Sequence, residues 1–258
     1  MTEITRLYTI AEDFIRTNPL NFDQELNGMP IYDPPIFGVA SAQDPLFEKL
    51  REPGVVGPHY LSPQEWLPGA KTVISYFLPF SSQVREANRS GGYPAIEWLH
   101  GRFEGEFCNN GLRELLCSEL KKAGAESLAP SLDPRFKNFG YNSNWSERHA
   151  AFVAGLGTFG LSKSLITAKG CAGRYGSVIT SMEYEPTPRE YQDIYEYCTK
   201  CGSCIRRCPA NAITMNGKEH DPCHHFVHVE VEHRFAPRYG CGKCQTGVPC
   251  EYSRPGKA

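Results

Sequence analysis

The chain lacks any apolar run approaching the roughly 18 residues that a bilayer-spanning helix needs, and its start is broken by Glu3, Arg6, Glu12, Asp13 and Arg16. Those two absences predict a cytoplasmic chain with no membrane partner and no secretory leader. An excess of one charge is also missing: the formal net charge is -2, which excludes the broad basic footprint of a duplex-binding protein. No unit recurs at the period of a solenoid. Nor is the composition that of a disordered chain, because 40% hydrophobic residues against 22% charged ones suffice for a packed core. What is abundant is cysteine, with 11 in 258 residues. In a reducing compartment these are not a disulfide framework, so any that cluster read as metal ligands.

They cluster strongly. Cys108, Cys117 and Cys171 are scattered and read as small buried hydrophobes, whereas the other eight fall between Cys198 and Cys250. Cys198, Cys201, Cys204 and Cys208-Pro209 have the spacing C-x2-C-x2-C-x3-C-P. Two residues between ligands let a tight turn aim three thiolates at one cubane, and the fourth Cys points to a different cluster. A zinc site fits this register less well, since zinc takes four ligands in two CxxC pairs. Two clusters need eight thiolates, and Cys223, Cys241, Cys244 and Cys250 complete the number. The exchange logic of two-cluster modules assigns Cys198, Cys201, Cys204 and Cys250 to one 4Fe-4S cluster. Cys208, Cys223, Cys241 and Cys244 then hold the other. His220, His224, His225, His228 and His233 surround Cys223. They read as ligands or tuning groups, or as a polar surface, which the sufficiency of the eight Cys favours.

Before this module the chain reads as mixed α/β (α+β). Leu7, Ile10, Ala11, Phe14 and Ile15 recur at helical spacing up to Asn18-Pro19. Residues 21–68, dense in Pro and Gly, read as irregular connections. Lys71 to Leu78 reads as a buried strand, and Leu112, Leu115, Leu116 and Leu120 as one face of a helix that stops at Gly124. A helix over 146–154 with Ser146 as N-cap and a strand over 176–182 follow. The predicted organisation is an α/β cofactor- or substrate-binding domain over 1–188 and a ferredoxin-like domain with two 4Fe-4S clusters over 189–258. An electron wire fused to such a domain implies an acceptor inside it.

Gly155, Gly157 and Gly160 match G-x-G-x-x-G literally, but a helical pattern precedes them where a dinucleotide fold needs a strand. They read instead as a loop whose backbone can approach a large ligand, or as a purely structural turn.

Glu147-Arg148, Ala154 to Gly157, Gly160, Leu165-Ile166 and Gly176-Ser177, followed by the Cys motif, a lone Cys and a Cys-x2-Cys pair, resemble the epoxyqueuosine reductase family. These are cobalamin-dependent iron-sulfur enzymes related to reductive dehalogenase cores. The likeness runs from about Leu67 to Cys250. It implies a nitroreductase-like module cradling base-off cobalamin, with the loop over 155–167 near the nucleotide tail. It further implies that Arg148, Gly155, Gly157, Gly160, Ser162, Arg174 and Ser177 seat the cofactor. Leu161 stands where the family has Lys, and Tyr141 where it has a proton-donating Asp. Since the dehalogenase relatives use a tyrosine, Tyr141 becomes the candidate acid, against the alternative of a packed aromatic. The implied substrate is a small molecule or a tRNA-borne base, and an external donor such as ferredoxin or flavodoxin supplies the electrons. The chain's shorter length and missing C-terminal repeats set it apart from the tRNA-modifying enzyme. Two other readings stay open: an electron-delivery protein that activates a corrinoid-protein partner through a surface near Cys223 and His224, and a flavin enzyme using the same cleft.

Overall fold

The computed structural model describes residues 3–256. Its elements, in chain order, are α1 (Glu3–Thr17), β1 (Ile36–Ser41), β2 (Thr72–Pro79), α2 (Ser82–Ala87), α3 (Ile96–Lys122), β3 (Ser127–Leu128), α4 (Glu147–Val153), β4 (Gly157–Phe159), β5 (Leu165–Thr167), β6 (Gly173–Thr180), α5 (Ser203–Arg206) and α6 (His220–His225), with short turns and hairpins between. The main sheet has the order β1-β2-β6-β3, and every pair in it is antiparallel.

The central strand β2 is buried at every position because both faces of the sheet are covered. Ile74, Tyr76 and Leu78 join α1 and α3 in one cluster with Leu7, Ala11, Leu112, Leu116 and Leu120. Val73 joins Trp66, Trp145, Ala150 and Val153 on the α4 side. A strand covered on both faces carries a continuous apolar run rather than an alternating one, as Thr72–Pro79 does. The helix predicted from the four leucines extends back to Ile96, and the supposedly irregular 21–68 stretch contains β1, which pairs with β2 from Ile36↔Phe77 to Ser41↔Thr72.

The stretch around 188 is a strap. The Thr187 N–H donates to Val39 O at 2.9 Å, and the Val39 N–H donates to Thr187 Oγ1 at 3.0 Å. Both bonds cover the outer edge of β1, which would otherwise be an open edge strand. Arg189 donates to Val153 O at 3.0 Å.

The cysteine-rich segment is joined just as tightly. Glu251, with a side chain 2% exposed, receives Arg85 of α2 at 3.1 Å and Arg89, just beyond that helix, at 2.8 Å. Lys243 Nζ donates to Ser90 O at 2.8 Å and to Asn88 O at 3.2 Å, and Asn88 Nδ2 donates to Cys241 O at 3.0 Å. A Cβ at Gly242 would lie 1.9 Å from Trp98 Cε2, so only glycine lets this turn lie flat on the indole of α3. Among the described residues no helix is long and apolar enough to cross a membrane.

Candidate metal centre and cationic cleft

Left-handed conformations at Lys200 (φ 52°) and Gly202 (φ 71°) curl the chain between Cys198 and α5. Cys198, Cys201 and Cys204 thereby line one shared hollow. Cys250, Gly160 and Ile166 close it from the other side. Burial and the neighbouring Cys244, Cys250, Cys198 and Cys201 push the Cys204 thiol up to about 12. A second set gathers beside the first: burial, Cys244, Cys223 and Cys208 push Cys241 up to about 12. Burial also raises Cys244, against the lowering effect of Lys218 and together with Cys223 and Cys208.

Crowded, buried thiols of this kind cannot all ionise in one another's company. Cationic iron centres remove that conflict by turning each thiolate's neighbours from a penalty into a shared coordination shell. The donor chemistry therefore fits iron-sulfur clusters. Cys201 lies at the exposed edge of the first set.

The second set adjoins a cluster of cationic side chains. Arg148 is exposed and donates to Lys163 O. Lys163 Nζ lies 2.9 Å from His220 Nε2. Burial, Lys218 and Arg148 lower the Lys163 pKa. Lys218 itself is raised, because Cys244 and Cys223 outweigh its burial. Arg174 Nε donates to Glu106 Oε2 at 3.1 Å, and Arg113 donates to Glu106 Oε1 at 2.7 Å. Against the opposing effect of burial, these two guanidinium groups hold the Glu106 carboxyl down at about 2.

At the rim, in the turn of the short hairpin formed by Asn138–Phe139 and Asn142–Ser143, Tyr141 is 51% exposed. It is therefore not a packed aromatic. Its hydroxyl donates to Asp221 Oδ1 at 2.5 Å, and its ring stacks on His220 at 5.0 Å between centroids. The Asp221 hydrogen bond raises its pKa, so the phenol keeps its proton throughout the neutral range.

The structure redistributes several residues expected to seat a cofactor. Ser177 is 0% exposed, donating to Glu147 Oε2 at 2.6 Å and accepting from Trp145 Nε1 at 2.9 Å. It locks α4 onto β6. At Gly157 a Cβ would lie 1.9 Å from Ile166 O, so this glycine permits the β4–β5 hairpin itself. Gly155, at φ 83°, turns the chain out of α4 against Thr187 and Pro188. Protein atoms stand beside both glycines: Ile166 O at Gly157, and Pro188 O with the Thr187 methyl at Gly155.

The same hairpin aims Cys198: the Phe159 N–H donates to Ile194 O at 2.7 Å, and the Tyr197 N–H donates to Thr158 Oγ1 at 2.8 Å. Gly160, whose Cβ would stand 3.7 Å from Cys198 Sγ, and Ser162 both line the Cys198 hollow. Of the expected cofactor contacts, Arg148 and Arg174 are electrostatic neighbours beside the cationic cluster. Sequence reasoning missed Lys163, Lys218 and Asp221 there. Lys163 had a signal, lying two positions beyond Leu161. His224, His225, His228 and His233 are exposed, and His228 pairs with Glu232 at 2.8 Å, as a polar surface would.

Residues 191–214 match the 4Fe-4S binding domain family. An epoxyqueuosine reductase of Bacillus cereus is 28% identical over 202 residues, covering 73% of this chain and 50% of the relative. That of Leadbetterella byssophila is 23% identical over 208 residues, covering 76% and 64%. A crystal structure of an epoxyqueuosine reductase superposes with a TM-score of 0.54 at 18% identity, over 97% of this chain and 70% of that one. A catabolic reductive dehalogenase does so with 0.60 at 13% identity, over 87% and 30%. At these identities the structural likeness shows the fold. The chain spans about half the length of the first of these curated relatives. The chain thus carries a 4Fe-4S binding motif, is similar in sequence to epoxyqueuosine reductases and shares their fold.

Proposed function

We propose that this chain is an iron-sulfur reductase of the epoxyqueuosine reductase type, with two 4Fe-4S clusters and a corrinoid held in a nitroreductase-like cleft. The carrying observation is that Arg148, Lys163 and Lys218 gather beside the second cysteine set, with the Tyr141 phenol held next to them by Asp221 and His220. Cys198, Cys201, Cys204 and Cys250 hold the cluster nearer the surface, where exposed Cys201 admits electrons from an external ferredoxin- or flavodoxin-type donor. Cys208, Cys223, Cys241 and Cys244 hold the inner one.

A corrinoid in this cleft supplies a strongly reducing cobalt, and a reductive dehalogenase of the same fold is described in terms of B12-dependent chemistry. Arg148 and Arg174 offer charge and hydrogen bonds to its polar periphery. The curated relatives are named for epoxyqueuosine, and we assign this chain a reducible electrophile of that kind, free or tRNA-borne. Opening an epoxide to an alkene takes two electrons and two protons and releases water. Tyr141 delivers a proton to the departing oxygen and, being exposed, is reprotonated from solvent.

The test is iron content after anaerobic reconstitution, which should be about eight per chain. Cys223→Ser should retain about four with the outer cluster intact. A wild-type value of about one, or of none, would contradict the reading.

A further inference from the structure

Cys171 is the ninth cysteine near the clusters, and the proposed ligand sets leave it without a role. Its sulfur lies 3.8 Å from that of Cys250. The placement is enforced by backbone: the Cys171 N–H donates to Cys250 O at 2.9 Å, and the Ala172 N–H donates to Glu251 O at 3.1 Å. A Cβ at Gly170 would stand 2.3 Å from Glu251 O, so the two segments run at the closest approach that backbones allow. Cys250 faces the hollow shared with Cys198, Cys201 and Cys204, whereas Cys171 does not line it. Cys171 is 0% exposed and sits among Ile166, Tyr191 and Tyr197. It lies behind the ligand, one layer out, with no water to compete for its proton.

We propose that Cys171 is a positioning residue: it donates an S–H hydrogen bond to the Cys250 sulfur and raises the reduction potential of the outer cluster. The inference rests on the cluster assignment made above. Reduction adds one negative charge to a cluster, and part of that charge resides on its thiolate sulfurs. A donor aimed at one of them stabilises the reduced form more than the oxidised form. In a dry, low-dielectric setting such a bond weighs more than it would at the surface. No proton is transferred: the cluster gains its electron from the donor, and Cys171 remains a thiol in both states.

The experiment is an EPR-monitored anaerobic potential titration of the reconstituted wild-type, Cys171→Ala and Cys171→Ser proteins, with iron counted in each. Loss of the donor in Cys171→Ala should move one of the two reduction waves to lower potential and leave the other in place at unchanged iron content. Cys171→Ser, which keeps an O–H donor, should fall closer to wild type. Unchanged potentials in Cys171→Ala would overturn the proposal. So would loss of half the iron in that variant, which would make Cys171 a ligand. Should the alanine variant fail to fold, wild-type protein reconstituted in D2O decides: a shift of an Fe–S(Cys) stretch by resonance Raman is expected, and none would overturn the hydrogen bond. Failure of the cluster assignment itself shows separately, as wild-type protein that takes up no iron.

Discussion

Tyr141 bears the chemical side of the proposal. An exposed tyrosine whose hydroxyl is held by Asp221 at 2.5 Å has no packing role large enough to explain its place. Tyr141→Phe should lower turnover by roughly 10²- to 10⁴-fold, the usual contribution of a general acid, while iron content and unfolding midpoint stay at wild-type values. Unchanged turnover, measured as product formed per chain, would remove Tyr141 from the mechanism. Its candidacy was legible in the sequence through the resemblance, whereas its partner was not. Asp221 lies 80 positions away, and no local pattern announces a hydrogen bond across that separation. Ser177 shows the opposite failure. A serine after glycine in a strand gives no sign of which sheet face it takes, and a one-residue change of register exchanges cofactor surface for core.

At the scale of elements, the glycine-rich segment is a scaffold. The β4–β5 hairpin places Gly157 against Ile166 O and passes hydrogen bonds to the chain leading into Cys198. Gly157→Ala should therefore cost about 3 kcal/mol or more, as overpacking against backbone does. The same variant should lose outer-cluster iron before inner-cluster iron, as read by denaturant unfolding with iron release followed in parallel. A variant with wild-type stability would show that the hairpin tolerates the methyl group.

Elements with strong patterns were readable: α1 from its apolar spacing, β2 from its unbroken apolar run, α4 from Ser146 and Glu147. The first half of α3 was not, because Gly101, Gly105 and Gly111 weaken helix propensity by about 1 kcal/mol each. Tertiary approach overrides that penalty. Gly105 makes room for Tyr32, whose hydroxyl oxygen would stand 2.5 Å from a Cβ. β1 was hidden for a related reason: its partner β2 begins more than thirty residues later, and strand pairing at that distance leaves no local trace.

For the molecule as a whole, the two predicted domains share their packing, and Glu251 is the principal clasp. It neighbours Cys250, receives Arg85 and Arg89, and accepts the Gly247 N–H at 2.6 Å. Against its burial, the Arg89 hydrogen bond leads in holding this carboxyl below its ordinary value. Its stabilising effect is therefore present above the ordinary glutamate range and is lost as pH falls below that range through the depressed folded value. Glu251→Gln should cost about 2 kcal/mol or more near neutrality, less than a fully buried pair because Arg89 is partly exposed. The gap from wild type should narrow on acidification in urea unfolding. Equal stability at neutral pH would show that the clasp contributes nothing.

The motif of Cys198, Cys201, Cys204 and Cys208 was legible because its spacing is local. The cationic cluster was not, since Arg148, Lys163 and Lys218 converge only after folding. The most direct test of the central claim is an anaerobic titration of the reconstituted protein with cob(II)alamin, followed by EPR. The account predicts saturable binding with conversion of the cobalt signal to a base-off form, alongside about eight irons per chain. Eight irons with an unperturbed cobalt signal would contradict it and leave a cluster protein that carries electrons elsewhere.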